Sequence, residues 1–250
     1  MKKWNFYTEL AYFAGLFFLA FGTALVERAD FGMSMVVAPA YLLHLKLSQT
    51  LPFFSFGMAE YVFQAVLIVI MCLILRKFRP VYICSFVTAV LYGFALELCM
   101  ALAQLLPDPA MIGRIILYAV GLPLCTLGIA LLLHAYFPPE AYELFVKELS
   151  AKLHIPFSRL KSVYDISSLL LAVAMSFAFF GFGSFEGVKL GTLISALVNA
   201  PLISLMDRLL LRCFTFCDRI PLREKFEDRH TFLKIVHITL KSSIDIMTAL

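Results

Sequence analysis

Charge is what this chain has least of. Asp, Glu, Lys and Arg make up 15% of its 250 residues, against roughly 25% in soluble domains. Hydrophobic residues make up 62%, which excludes an ordinary soluble domain. Catalytic signatures are missing as well: no Walker A loop, no nucleophile elbow, no HExxH and no paired CxxC occurs. The expectation is a protein that is not an enzyme and carries neither cofactor nor metal. The six cysteines form no disulfide framework: Cys72, Cys99 and Cys125 fall within apolar runs and Cys84 at the start of one, where thiols act as small hydrophobes. Cys213 and Cys217, four apart, could share a helix face and hold a metal or carry palmitate; reduced, inert thiols are the plainer reading.

What is present is six long apolar runs, 10–26, 58–75, 81–106, 111–134, 162–182 and 188–211. A bilayer core of about 30 Å takes around 20 apolar residues per helix. The reading is an all-α polytopic membrane protein with six transmembrane helices, whose first partner is the lipid bilayer. Run one closes on Val26-Glu27-Arg28 without a small-residue cleavage site, so it reads as a retained span.

The net charge of +4 implies no nucleic-acid partner, because the basic residues segregate by loop. With the N-terminus inside, 17 of the 21 Lys and Arg face the cytoplasm; Arg28, Lys46, Arg114 and Lys189 do not. The positive-inside rule then assigns both termini to the cytoplasmic side of a bacterial inner membrane.

Phe21-Gly22-Thr23-Ala24-Leu25 recurs 106 residues later as Leu127-Gly128-Ile129-Ala130-Leu131, and Ala29 and Phe31 recur as Ala135 and Phe137. A repeat of three spans enters the bilayer in opposite senses in its two copies. Such inverted repeats are a transporter construction with a substrate site near the midplane. The expected division is 1–107 and 108–212 as the two three-helix repeats, with 213–250 as a basic cytoplasmic tail. Segments 33–50 and 139–153 read as interfacial, the second a clear amphipathic helix with Tyr142, Phe145, Leu149 and Leu153 at helical spacing. For 231–250, a surface helix and a short strand both remain open.

Three features resemble the uncharacterised bacterial YczE/YyaS/YitT-type membrane proteins. They are Phe21-Gly22-Thr23-Ala24 leading to Phe31-Gly32-Met33-Ser34 and Pro39; the basic Arg76-Lys77-Phe78-Arg79-Pro80; and Gly191-Thr192 leading to Asn199-Ala200-Pro201-Leu202. The resemblance covers roughly 8–212 and implies a polytopic inner-membrane protein, often guessed to transport.

An ionisable group inside a span is costly and so a functional candidate. Glu97 in run three is the clearest, read as a coupling or substrate-contacting carboxylate, or alternatively as a structural hydrogen-bonding group. Asn199 in run six is its expected hydrogen-bonding companion. Glu60, Gln64 and Asp165 lie nearer span ends, as vestibule residues on opposite faces or as ordinary interfacial polar groups. Gly22, Gly128 and Gly191 are expected to allow close helix approach, and Pro201 and Pro123 to kink their helices. Glu27, Arg28 and Asp30 read as an outer-face charge cluster, His134 as an interfacial residue. Gly181 to Gly187 reads as an external hairpin.

Transport of a small, unidentified solute by alternating access is the leading functional expectation. The rivals are an accessory or scaffold protein acting through its tail, and a substrate-capture subunit of an ATP-driven importer. A homodimer or a partner membrane protein is left open.

Overall fold

The computed structural model describes residues 4–32, 34–54, 56–105, 108–182 and 188–220. The helix-or-strand alternatives for 231–250 and most of the 181–187 hairpin lie outside those residues.

Within them the chain is helical, with a single pair of short strands. The elements are β1 (Trp4–Tyr7), α1 (Thr8–Ala29), α2 (Ala38–Leu47), α3 (Phe56–Leu75), α4 (Cys84–Gln104), α5 (Met111–His134), α6 (Ala141–Leu153), α7 (Phe157–Phe180), α8 (Leu190–Cys213) and β2 (Phe214–Cys217). A 3-10 turn, Pro80–Ile83, leads into α4. Six helices are long and apolar enough to cross a membrane, the third running Pro80–Gln104 with that turn. The chain is a multi-pass membrane protein. Helix is the form a lone apolar segment must take in lipid, because every backbone polar group is then satisfied within the segment.

The remaining two helices are short. α6 has 13 residues, about 20 Å of rise, too little to span. Part of its polar face is packed inside the protein. Eight of its residues, Glu143 and Lys147 among them, are buried, so the amphipathic face turns inward on α3 and α7. Proline sets both short helices: Pro39 occupies the first turn of α2, and Pro138 and Pro139 stop α5 from running on into α6.

The entry segments of α2 and α6 turn inward. Met35 and Val36, just before α2, pack with Tyr142 at the start of α6 and with Leu67, Leu169 and Ala196. The last turns of the two helices lie elsewhere. Lys46 Nζ reaches the Phe179 carbonyl at the end of α7 (3.5 Å), and Lys152 donates to the Ile74 carbonyl at the end of α3. Both short helices therefore point their N-termini into the bundle and their C-termini towards its ends.

α1 and α5 cross at the centre, running antiparallel and nearly in backbone contact. A Cβ on Gly22 would stand 2.5 Å from the Cys125 nitrogen and 2.8 Å from the Gly121 carbonyl. One on Gly128 would stand 2.5 Å from the Leu19 nitrogen and 2.7 Å from the Gly15 carbonyl. Gly191 is held as tightly against Phe31, whose carbonyl accepts its N–H at 2.9 Å. These three approaches exclude any side chain.

The two strands were not legible as such. β1 pairs in parallel with β2, in the register Trp4–Phe214 to Tyr7–Cys217. Since β1 precedes the first span and β2 follows the last, both sit at one end of the bundle. Cys217 lies in the strand and Cys213 ends α8, so the two thiols do not share a helix face.

Candidate functional site

Polar side chains collect where α6 begins. Glu60 and Gln64 come from α3, Glu140, Tyr142 and Glu143 from the head of α6, Lys161 and Asp165 from α7, and Asn199 from α8. Gln64 is 2% exposed, Lys161 and Asp165 0%. In the bland case, such residues at span ends face water; here they face one another.

Two hydrogen-bonded groups make up the cluster. Lys161 Nζ lies 3.2 Å from Glu143 Oε1 and 3.2 Å from Asp165 Oδ1, while Asn199 Nδ2 lies 3.5 Å from Asp165 Oδ2. In the other group, Tyr142 Oη donates to Glu60 Oε1 at 2.8 Å and Gln64 Nε2 lies 3.4 Å from the same oxygen. The head of α6 joins them. Burial pushes the Glu140 carboxyl well above the usual range, and the Glu143 and Glu60 carboxylates push it further, against the pull of Lys161.

Several buried acceptors lack a partner: Glu60 Oε2, Gln64 Oε1 and Glu140 Oε1 make no hydrogen bond. A buried ion pair is held against a large desolvation cost and survives only with good geometry and supporting hydrogen bonds. Lys161 has such support from two carboxylates. Glu60 has none from a cation among the described residues. Among the described residues no three His, Cys, Asp or Glu side chains stand in metal-holding geometry.

Glu97 does not join this cluster. α4 turns Cys99 and Ala103 towards Ala20 and Ala24 of α1, and two residues along a helix is a turn of roughly 200°. Glu97 is therefore exposed on the outer side between Phe94 (69% exposed) and Leu98 (64%). The expected pairing of Glu97 with Asn199 in one pocket is not found. Pro201 is exposed by the same logic, two residues beyond Asn199. Pro123 is half-buried inside α5, where Thr126 Oγ1 donates to the Pro123 carbonyl at 2.9 Å. Glu60 and Asp165, expected to line vestibules on opposite faces, belong to one interior neighbourhood.

Glu140, Tyr142, Glu143 and Lys161 were not singled out by sequence reasoning. Charges on an amphipathic helix read as a solvated face, and Lys161 as one more inside-facing basic residue. The usable signal was Lys161 and Asp165 four apart at the mouth of an apolar run, spacing that puts both on one helix face.

A second polar feature lies at the end of the bundle away from β1 and β2. A cavity of about 330 Å3 is lined by Glu27, Arg28, Asp30, Gln104, Asp108 and Arg114, with Ala24, Met100, Ala103 and Pro109. Asp30 Oδ1 lies 2.6 Å from Lys189 Nζ, and its Oδ2 3.4 Å from Arg114 Nη1. The Lys189 hydrogen bond and charge hold the Asp30 carboxyl below its ordinary range. Arg28 Nη2 meets Asp108 at 2.7 Å.

At the opposite end, His134 Nε2 lies 2.6 Å from Asp207 Oδ1, and Phe216 of β2 stacks on the imidazole at 4.1 Å. Thr8 Oγ1 donates to Asp218 at 2.6 Å, and the Glu9 carboxylate accepts the Ile220 N–H at 2.9 Å and the Arg219 N–H at 3.3 Å. His134, expected at an interface, is held at this end of the bundle by Asp207 and covered by Phe216.

No curated protein and no solved structure matches the chain. A family-wide sequence model does match, over residues 6–208. It agrees with the uncharacterised standing of the proteins resembled above but does not carry the YczE/YyaS/YitT name. The chain belongs to a family of unknown function, DUF6198.

Proposed function

We propose that this protein is a bacterial inner-membrane transporter for a small solute, working by alternating access between two inverted repeats, with both termini cytoplasmic. The observation that carries the reading is the interior cluster of Glu60, Gln64, Glu143, Lys161, Asp165 and Asn199 at the head of a half-length helix. Polar groups at that depth are expensive, and transporters of this build hold ligands where half-helix N-termini point inward.

The glycine crossings support the inverted repeat. Gly15 faces Gly128, and Gly22 faces Gly121. Shifting each residue by the 106-residue offset exchanges the two pairs, as a twofold axis between α1 and α5 requires. A second correspondence agrees. Thr88 Oγ1 donates to the Pro138 carbonyl at 2.7 Å, and Thr192, 104 residues on, lies against Gly32, 106 residues before Pro138.

The bundle's ends support a gated pathway. One end holds the charged cavity beside Asp30 and Arg114; the other is closed by His134, Asp207 and the strand pair. In this reading the cluster binds and couples rather than making or breaking covalent bonds in a substrate, and the chain is not an enzyme.

The test is purified full-length protein in liposomes carrying an internal pH dye, challenged with gradients of amino acids, polyamines, sugars and small carboxylates. At least one class is expected to move faster than in protein-free liposomes, with the rate lost in Glu60→Gln. Folded protein that moves none of them overturns the reading and favours the accessory role.

A further inference from the structure

Three bare buried acceptors lie in this cluster, Glu60 Oε2, Gln64 Oε1 and Glu140 Oε1, together with Asp165 Oδ1 and one bare hydroxyl, Tyr164 Oη. Glu60 Oε1 takes two donors, Tyr142 Oη and Gln64 Nε2. Glu60 Oε2 is buried without one. Gln64 turns its Nε2 to Glu60 at 3.4 Å, and its Oε1 has no partner. Glu140 contributes another bare oxygen, Oε1.

The charges are unequal too. Four carboxyls (Glu60, Glu140, Glu143 and Asp165) belong to the cluster, and Lys161 pairs with two of them, Glu143 and Asp165. Counting buried Lys147 on that side still leaves acids ahead by two. The side chains packed around Tyr142, the donor to Glu60, supply no cation either: Leu67 of α3, Tyr164 and Leu169 of α7, Ala196 of α8, and Met35 and Val36 of the α2 entry. A bare buried carboxylate costs far more than its neutral acid, because an isolated charge loses most of its solvation. Adding a hydrogen to Glu60 removes that charge from a carboxyl whose Oε2 is buried without a donor.

We infer that the carboxyls of Glu60 and Glu140 hold protons in this conformation, and that Glu60 exchanges its proton with water during the transport cycle. The inference deepens the transport reading by naming its coupling ion, and it rests on that reading for its second half. When the site opens to water, the O–H bond of Glu60 breaks. Its electron pair stays on the carboxylate and the proton passes to a water molecule. On closure from the other side the carboxylate takes up a proton again. Each cycle moves one proton, with nothing oxidised or reduced.

Infrared spectroscopy on the purified full chain at neutral pH tests the first half without any transport assay. A protonated-carboxyl carbonyl band is expected, shifting in D2O, weakened in Glu60→Gln and in Glu140→Gln, and unchanged in Asp30→Asn. Wild-type protein lacking the band overturns the inference without recourse to a variant. So does a band that both glutamine variants leave intact while they still melt cooperatively. The pH dye in the liposomes reads the second half: wild type is expected to carry protons with the solute, at a fixed ratio. Solute flux without proton movement overturns the exchange and leaves transport standing; absence of all flux removes transport and leaves the infrared result standing.

Discussion

Gly22 of α1 and Gly121 of α5 stand face to face, each with its carbonyl 2.8 Å from where the other's Cβ would be. No methyl group fits there. Gly22→Ala and Gly128→Ala are expected to destabilise by about 1–3 kcal/mol each, the usual cost of overpacking. Gly93 has nothing within 4 Å of its Cβ position, so Gly93→Ala is expected to melt at or above the wild-type temperature. Thermal unfolding in one detergent, the three variants side by side, checks this.

Lys161 is the cation on which two buried carboxylates depend. Lys161→Met leaves Glu143 and Asp165 without it, and breaking a buried pair in this way costs about 3–5 kcal/mol. Adding Asp165→Asn to Lys161→Met is expected to restore part of the loss, because one stranded charge is removed. A double variant no more stable than Lys161→Met alone would show that the pair is not coupled.

Glu97 is the acid that stands outside. Its exposed position between Phe94 and Leu98 predicts that Glu97→Gln changes neither melting temperature nor solute flux, whereas Glu60→Gln abolishes flux. Loss of flux in both would return Glu97 to the pathway.

Asn5 and Thr215 are register partners in the strand pair. Paired strands lie roughly 4.8 Å apart, within the Cα separation a disulfide bridges. Asn5→Cys with Thr215→Cys is expected to cross-link under mild oxidation, in a background lacking the native cysteines. Absence of the cross-link, with cysteines at both positions labelled from opposite sides of the membrane, would refute the fold at this end.

The ion pairs around the cavity are expected to contribute little. Asp30 and Lys189 are both about half exposed, and such pairs are worth roughly 0–1 kcal/mol. Lys189→Gln should shift the melting temperature slightly at low salt and not at all at high salt.

The spans were legible because lipid imposes length and composition on each helix separately. Glycine was legible for a related reason: where backbones touch, only that residue fits, and Gly22, Gly128 and Gly191 all stand at contacts. The site was legible only in part. Glu60, Gln64, Asp165 and Asn199 were flagged as polar groups within apolar runs, yet nothing local said that they meet. Their meeting depends on α6 turning inward, and Tyr142, Glu143 and Lys147 on a short helix look the same whether that helix is buried or lies on a surface. Glu97 misled for the converse reason. A lone charge in an apolar run says nothing of which way round the helix it points.

The strand pair also bears on how the chain is made. Residues 4–7 are synthesised 210 residues ahead of their partners, 214–217. At about 5–20 residues per second, the first strand waits roughly 10–40 s for the second. Throughout that interval an edge rich in aromatic rings stays without its ladder, and Thr8 and Glu9 without Asp218 and Ile220. A nascent chain arrested before residue 214 thus carries an open strand edge at the mouth of α1.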